Sequence, residues 1–282
     1  MNKLNVFIDE SGAKGYSDNK EHYEGEFGIV AGIFIEEMHL KKIKEETEKI
    51  YHRYLGKSDE KLHITDLAPE LQKSLRSDVF HLIRNNNIYW SYQAIYVNGF
   101  YNDKYKEQKI KSLFKHNNSL HVELLFGIYI QSRKFSDSLG IKKCDIVSDQ
   151  IDTHLIDLLN KKVKGYLSLG DEKPITFKKY DRDDKTLREV GFKVSVNTSE
   201  DEKNFLNSFE YDFRVQNNEC TLIADVLSNS LFYHLKNKIK DKIGIDLMKI
   251  EHFKDHELFD SLFLDSEKNF TDKCYPYKNN LI

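Results

Sequence analysis

The sequence is notable first for what it has little of. Only 3 prolines occur in 282 residues, and no Gly/Ser-rich or Pro-rich run interrupts it. Nothing in it therefore reads as an interdomain linker, and residues 1–282 are expected to form one domain with a helical insertion and a C-terminal tail. The 3 cysteines, Cys144, Cys220 and Cys274, are odd in number and far apart, with no C-x-x-C pair. That disfavours a disulfide framework and a cysteine zinc site, and it fits a reducing compartment. No apolar run approaches the length of a membrane span. The N-terminus lacks the long apolar stretch of a secretory signal, so a cytoplasmic location and no membrane contact are expected. The net charge of −3 gives no global pull toward nucleic acid. Lysine-rich stretches at 104–115, 161–164, 178–179 and 236–242 read as solvated faces and edges, or as local contacts for a phosphate backbone. Neither G-x-x-x-x-G-K-[ST] nor G-x-G-x-x-G occurs, and no G-x-S-x-G elbow is present. His252 and His256 are spaced by four, but no H-E-x-x-H motif or third ligand accompanies them, so both are expected at the surface.

What is present is organised around Asn5-Val-Phe-Ile-Asp-Glu-Ser-Gly12. A strand-forming apolar run ends in two acids and then in a turn signal. A carboxylate at the end of a buried strand costs free energy unless something pairs with it, and a divalent cation is one such partner. The same residues also suit a polar turn, because Asp, Ser and Gly favour turns for local reasons. Strand parity puts Asn5, Phe7 and Asp9 on one face and Val6, Ile8 and Glu10 on the other. Asp9 is then the direct ligand candidate, and Glu10 is either re-aimed by the turn or acts from further out.

Along the chain, strands are expected at 4–8, 27–35, 88–97, 143–149, 175–180 and 209–215, with 62–65 and 191–196 as further candidates. Helices are expected at 36–55 (ended by Gly56), from Asp66 to 84, from 104 to 135 with a break near Asn117-Asn118, at 152–167, and at 219–235. Short helices packed on the core are expected after Ile245. The strand-then-helix alternation argues for an α/β sheet with some parallel pairing. The helix at 219–235 is apolar around most of its circumference, which marks it as buried. Asp225 interrupts it, within a polar stripe of Thr221, Asp225, Ser228 and Asn229.

Three acids thus stand out: Asp9 and Asp149, each ending a strand, and Asp225 in a buried helix. Sites in α/β sheets form at the carboxyl ends of strands. Two strand-end acids with a helix acid opposite could hold Mg2+ or Mn2+ for phosphodiester hydrolysis. His63, near Asp66, could orient a water or contact phosphate, or serve as a half-buried structural histidine.

Val6-Phe-Ile-Asp-Glu-Ser-Gly12 resembles the signature of the bacterial domain-of-unknown-function 3800 family, which is similar to the ribonuclease H-like superfamily of metal-dependent nucleases and integrases. The resemblance continues in Phe27-Gly-Ile-Val-Ala-Gly-Ile-Phe-Ile35, in Ile146-Val-Ser-Asp149 and in Leu222-Ile-Ala-Asp-Val226. Two departures stand beside it. Lys61-Leu-His63 replaces a Glu-hydrophobic-His or Glu-hydrophobic-Lys pattern, with Glu60 one place off, and Thr221-Leu-Ile-Ala-Asp225 stands where many members have a Gln-hydrophobic-Ala-Asp run. The resemblance implies a ribonuclease H-like mixed sheet of about five strands flanked by helices. Its first three strands would be antiparallel and its central strand would carry the first Asp. It also implies a metal-dependent nuclease using Asp9, Asp149 and Asp225, helped by Glu10 and His63, with nucleic acid (DNA or RNA) as partner. The alternative is a catalytically inactive binding or regulatory subunit working with a protein partner in a bacterial defence or mobile-element system.

Overall fold

The computed structural model describes residues 2–13, 21–55, 62–101, 119–167, 173–181, 186–194, 209–216, 218–240, 242–264, 275 and 277. Gly56, Glu60, Lys61, Cys274, the lysine-rich stretch 104–115 and the break expected near Asn117-Asn118 lie outside them. The first strand, β1 (Leu4–Gly12), is buried from Leu4 through Glu10, as its apolar run requires of a central position. β2 (Phe27–Glu36) returns antiparallel to it, pairing Asp9 with Ala31 and Glu10 with Val30. Two helices follow, α1 (Glu37–Leu55) and α2 (Pro69–Asn85), before β3 (Tyr89–Tyr96) pairs antiparallel with β2. The short α3 (Val97–Tyr101) and the longer α4 (Leu120–Ser138) lead to β4 (Lys143–Ser148), which lies parallel to β1 on its other side. After α5 (Thr153–Leu167), β5 (Lys173–Asp181) and β6 (Thr186–Val194) form their own antiparallel hairpin, of which only the backbone is described. β7 (Glu210–Val215) then adds parallel to β4, and α6 (Glu219–Ile239) follows.

The sheet order is β3-β2-β1-β4-β7. Three antiparallel strands, with the first of them central and two parallel strands beyond it, make a ribonuclease H-like mixed sheet. Helices flank both faces. Phe7 and Val147 turn toward α1, α2 and α6, while Val6, Ile8, Cys144 and Ile146 turn toward α4 and α5. Helices α1 and α2 lie between β2 and β3, and the β5–β6 hairpin lies between α5 and β7.

Two expectations are corrected. Residues 62–65 do not form a strand; Ile64–Asp66 is a 3-10 turn. The Ile64 N–H, which a strand would give to a neighbouring strand, is given instead to the Asp225 carboxylate at 2.8 Å. The second correction is His256, which is buried, at 8% exposure, rather than at the surface. The segment after Ile245 straps across β3, whose same-face residues Trp90, Tyr92 and Tyr96 each bury a ring and donate to a strap carbonyl. Trp90 Nε1 reaches the Leu258 carbonyl at 2.9 Å, Tyr92 the Leu247 carbonyl at 2.8 Å and Tyr96 the Ile245 carbonyl at 2.9 Å. His256 sits in this strap against Trp90, Phe80, Phe253 and His234.

The neutral form of His256 is built into that packing. Nδ1 accepts the Leu258 N–H at 3.2 Å, so the ring proton resides on Nε2 and points to Ser230 Oγ at 3.3 Å. Burial, and then the neighbouring His234, push its pKa down to about 4, with Asp255 opposing and Arg76 reinforcing. An unfolded histidine titrates near 6.5. Between those values the unfolded chain binds the extra proton, so this contribution is complete above about pH 6.5 and is lost as pH falls toward 4. Urea melts at pH 7.5 and pH 4.5 should differ by up to about 3 kcal/mol from this residue, and His256→Gln should flatten that difference.

Candidate active site at the ends of the central strands

β1 and β4 run parallel with Leu4 opposite Cys144 and Phe7 opposite Val147. Continuing that register past the last pair sets Asp149 opposite Asp9. Both acids have the parity of Phe7 and Val147, so both turn toward the face that α6 covers. This is why two neighbouring strands, far apart in the chain, deliver carboxylates to one end and one side of the sheet. Helix α6 completes the arrangement. Its N-cap is Asn218, whose side chain accepts the Cys220 N–H at 3.0 Å, and about two turns later it brings Asp225 to the same region.

Asp149 and Asp225 line a single small cleft with Tyr51, Leu62, Asn218, Thr221 and Leu222. Asp225 is 8% exposed and Asp9 is 9% exposed, so both carboxylates are largely withdrawn from water and depend on local donors. The Ile64 N–H supplies one to Asp225 Oδ2, and the Ser228 hydroxyl supplies one to Asp9 Oδ2 at 2.8 Å. His63 stands beside Asp225, its Nδ1 3.8 Å from Asp225 Oδ2 and its side chain 31% exposed. The 3-10 turn that gives Ile64 N–H to Asp225 is therefore also what brings His63 there. Next along α6, Asn229 accepts from Arg76 of α2 at 3.1 Å, which ties the two helices together behind the acids.

Glu10 does not join this group. As parity requires, it turns to the opposite face, where its Oε1 lies 3.9 Å from Nε2 of buried His121 on α4. His121 had no signal in the sequence, since it stands in the first turn of a helix without a surrounding motif. Asp145, the other acid of β4, is buried in an ion pair with Lys3 at 2.9 Å and Arg214 at 3.4 Å, which gives it a structural partner set. The described cysteines are poor nucleophiles: burial raises the Cys144 thiol, and Cys220 is pushed up to about 12 by the same cause.

Among the described residues, no three His, Cys, Asp or Glu side chains converge into a group that could hold a metal by themselves. The donor set is nevertheless of one chemical kind. Two carboxylates share a cleft and a third lies in register beside it, all hard oxygen donors. Mg2+ is commonly held by one or two carboxylates, with water and substrate phosphate completing its shell. The set fits that kind of site, and does not fit a pre-formed cage of protein ligands.

No protein-family model matches the chain, and the search of curated proteins likewise found no match. Among solved structures, the chain is similar to one from the PCNA:RNase HII complex of Archaeoglobus fulgidus, at 12% identity and a TM-score of 0.37, over 85% of this chain and 77% of that one. The assignment to a ribonuclease H-like fold rests on the strand order and directions described above. Among the described residues, no helix is long and apolar enough to cross a membrane.

Proposed function

We propose that this chain is a divalent-metal-dependent phosphodiester hydrolase acting on DNA or RNA, and a member of the domain-of-unknown-function 3800 family. The observation that carries the reading is the sharing of one cleft by Asp149 and Asp225, at the end of the sheet where Asp9 lies in register. Asp149 and Asp225, with Asp9 beside them, would hold Mg2+ or Mn2+. Bound there, the ion supplies charge neutralisation at a phosphate and a water made acidic enough to attack it. The chain's own residues do the rest. Ile64 N–H fixes the orientation of the Asp225 carboxylate, Leu62 and Leu222 wall the cleft, and His63, 3.8 Å from Asp225, would exchange a proton with a reacting oxygen. Glu10 acts from the far face of β1, outside the ligand set.

The second reading is a ribonuclease H-like binding subunit without catalysis, working with a protein partner. It is favoured by Lys61-Leu-His63 standing in place of a Glu-hydrophobic-His pattern and by the net charge of −3. A thermal-shift titration with Mg2+ and Mn2+ separates the two. A ligand that binds only the folded state adds about 2.7 kcal/mol at a hundredfold excess over its Kd, worth roughly 5 °C or more in a chain of this size. The hydrolase reading expects that rise in the wild type and its loss in Asp9→Ala. No rise in either protein supports the binding subunit.

A further inference from the structure

Ser228 is fully buried on α6. Its hydroxyl has two acceptors in reach, Asp9 Oδ2 at 2.8 Å and the Asp225 backbone carbonyl at 3.1 Å. One proton serves one acceptor at a time. The shorter contact, to the carboxylate, is the stronger bond, so the proton belongs to Asp9. One turn further along α6, at the i+4 position, Phe232 closes against Gly12, the last residue of β1. Gly12 has φ +77°, and a side chain there would lie 2.5 Å from both the Phe232 ring and the Phe27 carbonyl. Helix α6 is thus seated on the end of β1 at two successive turns. The first contact sets the carboxylate and the second fixes the distance between helix and strand.

We infer that Ser228 is a positioning residue for Asp9, and that a single turn of α6, Asp225 through Ser228, both presents one acid of the site and orients another. This rests on the reading of Asp9 as part of a metal site, but its central element, the orientation of Asp9, can be measured without metal. Ser228→Ala removes the hydroxyl with almost no change of volume, at a position where alanine favours the helix. Ser228→Thr keeps the hydroxyl.

The experiment is a pair of measurements on the full chain: Mn2+ affinity by electron paramagnetic resonance, and metal-free crystal structures of the wild type and Ser228→Ala. The expected result is a 10- to 100-fold loss of Mn2+ affinity in Ser228→Ala, typical of removing a group that orients a ligand. The Asp9 carboxylate should be turned away from its wild-type orientation, and Ser228→Thr should restore the affinity. An Asp9 that keeps its orientation in Ser228→Ala overturns the inference, and so does an unchanged Mn2+ affinity where the wild type binds. If the wild type binds no Mn2+ at all, the metal reading of the proposed function falls instead. The orientation of Asp9 in the Ser228→Ala crystal then decides the role of Ser228 alone.

Discussion

Asparagine at Asp225 is expected to reduce divalent-dependent cleavage of a nucleic-acid substrate by on the order of 10^3-fold, the scale seen when one preorganised charge-stabilising group is removed. The fold should survive. Asp225 Oδ2 accepts the Ile64 N–H, and an amide oxygen can accept the same bond, so Asn keeps the 3-10 turn and His63 in place while removing the charge. Asp225→Ala is the informative contrast. It leaves the Ile64 N–H buried without that acceptor, which costs about 1–3 kcal/mol, and so loses stability as well as activity. The two variants together separate the role of the charge from the role of the hydrogen bond. Cleavage assays with Mg2+ or Mn2+, read beside urea melts, check both. Full activity in Asp225→Asn would remove this residue from the site.

A chain ending at Gly244 is expected not to fold at all, giving no cooperative melt by circular dichroism and a strong tendency to aggregate. The strap that it loses contributes Leu247, Met248, Phe253 and Leu258 to the core, each 2% exposed or less. Burying a side chain of that size stabilises by about 1.5–3 kcal/mol. Four such losses equal or exceed the whole stability of many domains, about 5–15 kcal/mol. The loss also uncovers the aromatic face of Trp90, Tyr92 and Tyr96 and withdraws the carbonyls their polar tips use. Part of the edge of β3 opens as well, because the Phe263 N–H that now bonds the Trp90 carbonyl at 2.8 Å is gone. A truncated chain that melts cooperatively near the full-length midpoint would show the strap to be an appendage.

Much of this architecture was legible in the chain because its signals are local. The apolar run ending at Ile8, the nine-residue apolar stretch of β2, the aromatic β3 and the amphipathic α5 each carry their own period or composition. The parity of β1 alone placed Asp9 and Glu10 on opposite faces, since successive side chains of a strand must alternate. The apolar circumference of α6 likewise marked it as buried and Asp225 as unusual within it.

Tertiary structure decided what depends on partners distant in the chain. Ile64 and Asp225 are 161 residues apart, and Asp9 and Ser228 are 219 apart. Leu62-His-Ile-Thr65 has the residues of a short strand, yet it turns, because its backbone donor finds a carboxylate rather than a neighbouring strand. His256 carries no local mark of burial, and only the closing of the strap over Trp90 makes it neutral and enclosed. The sequence by itself determined which residues could be strands, which helix is buried and which acids have no ordinary reason to be where they are. Only the folded sheet decided that Asp149 shares a cleft with Asp225, that Glu10 faces His121, and that a serine holds Asp9. Periodicity is a property of neighbours in the chain, whereas a hydrogen bond to a buried carboxylate is a property of whatever the fold brings beside it.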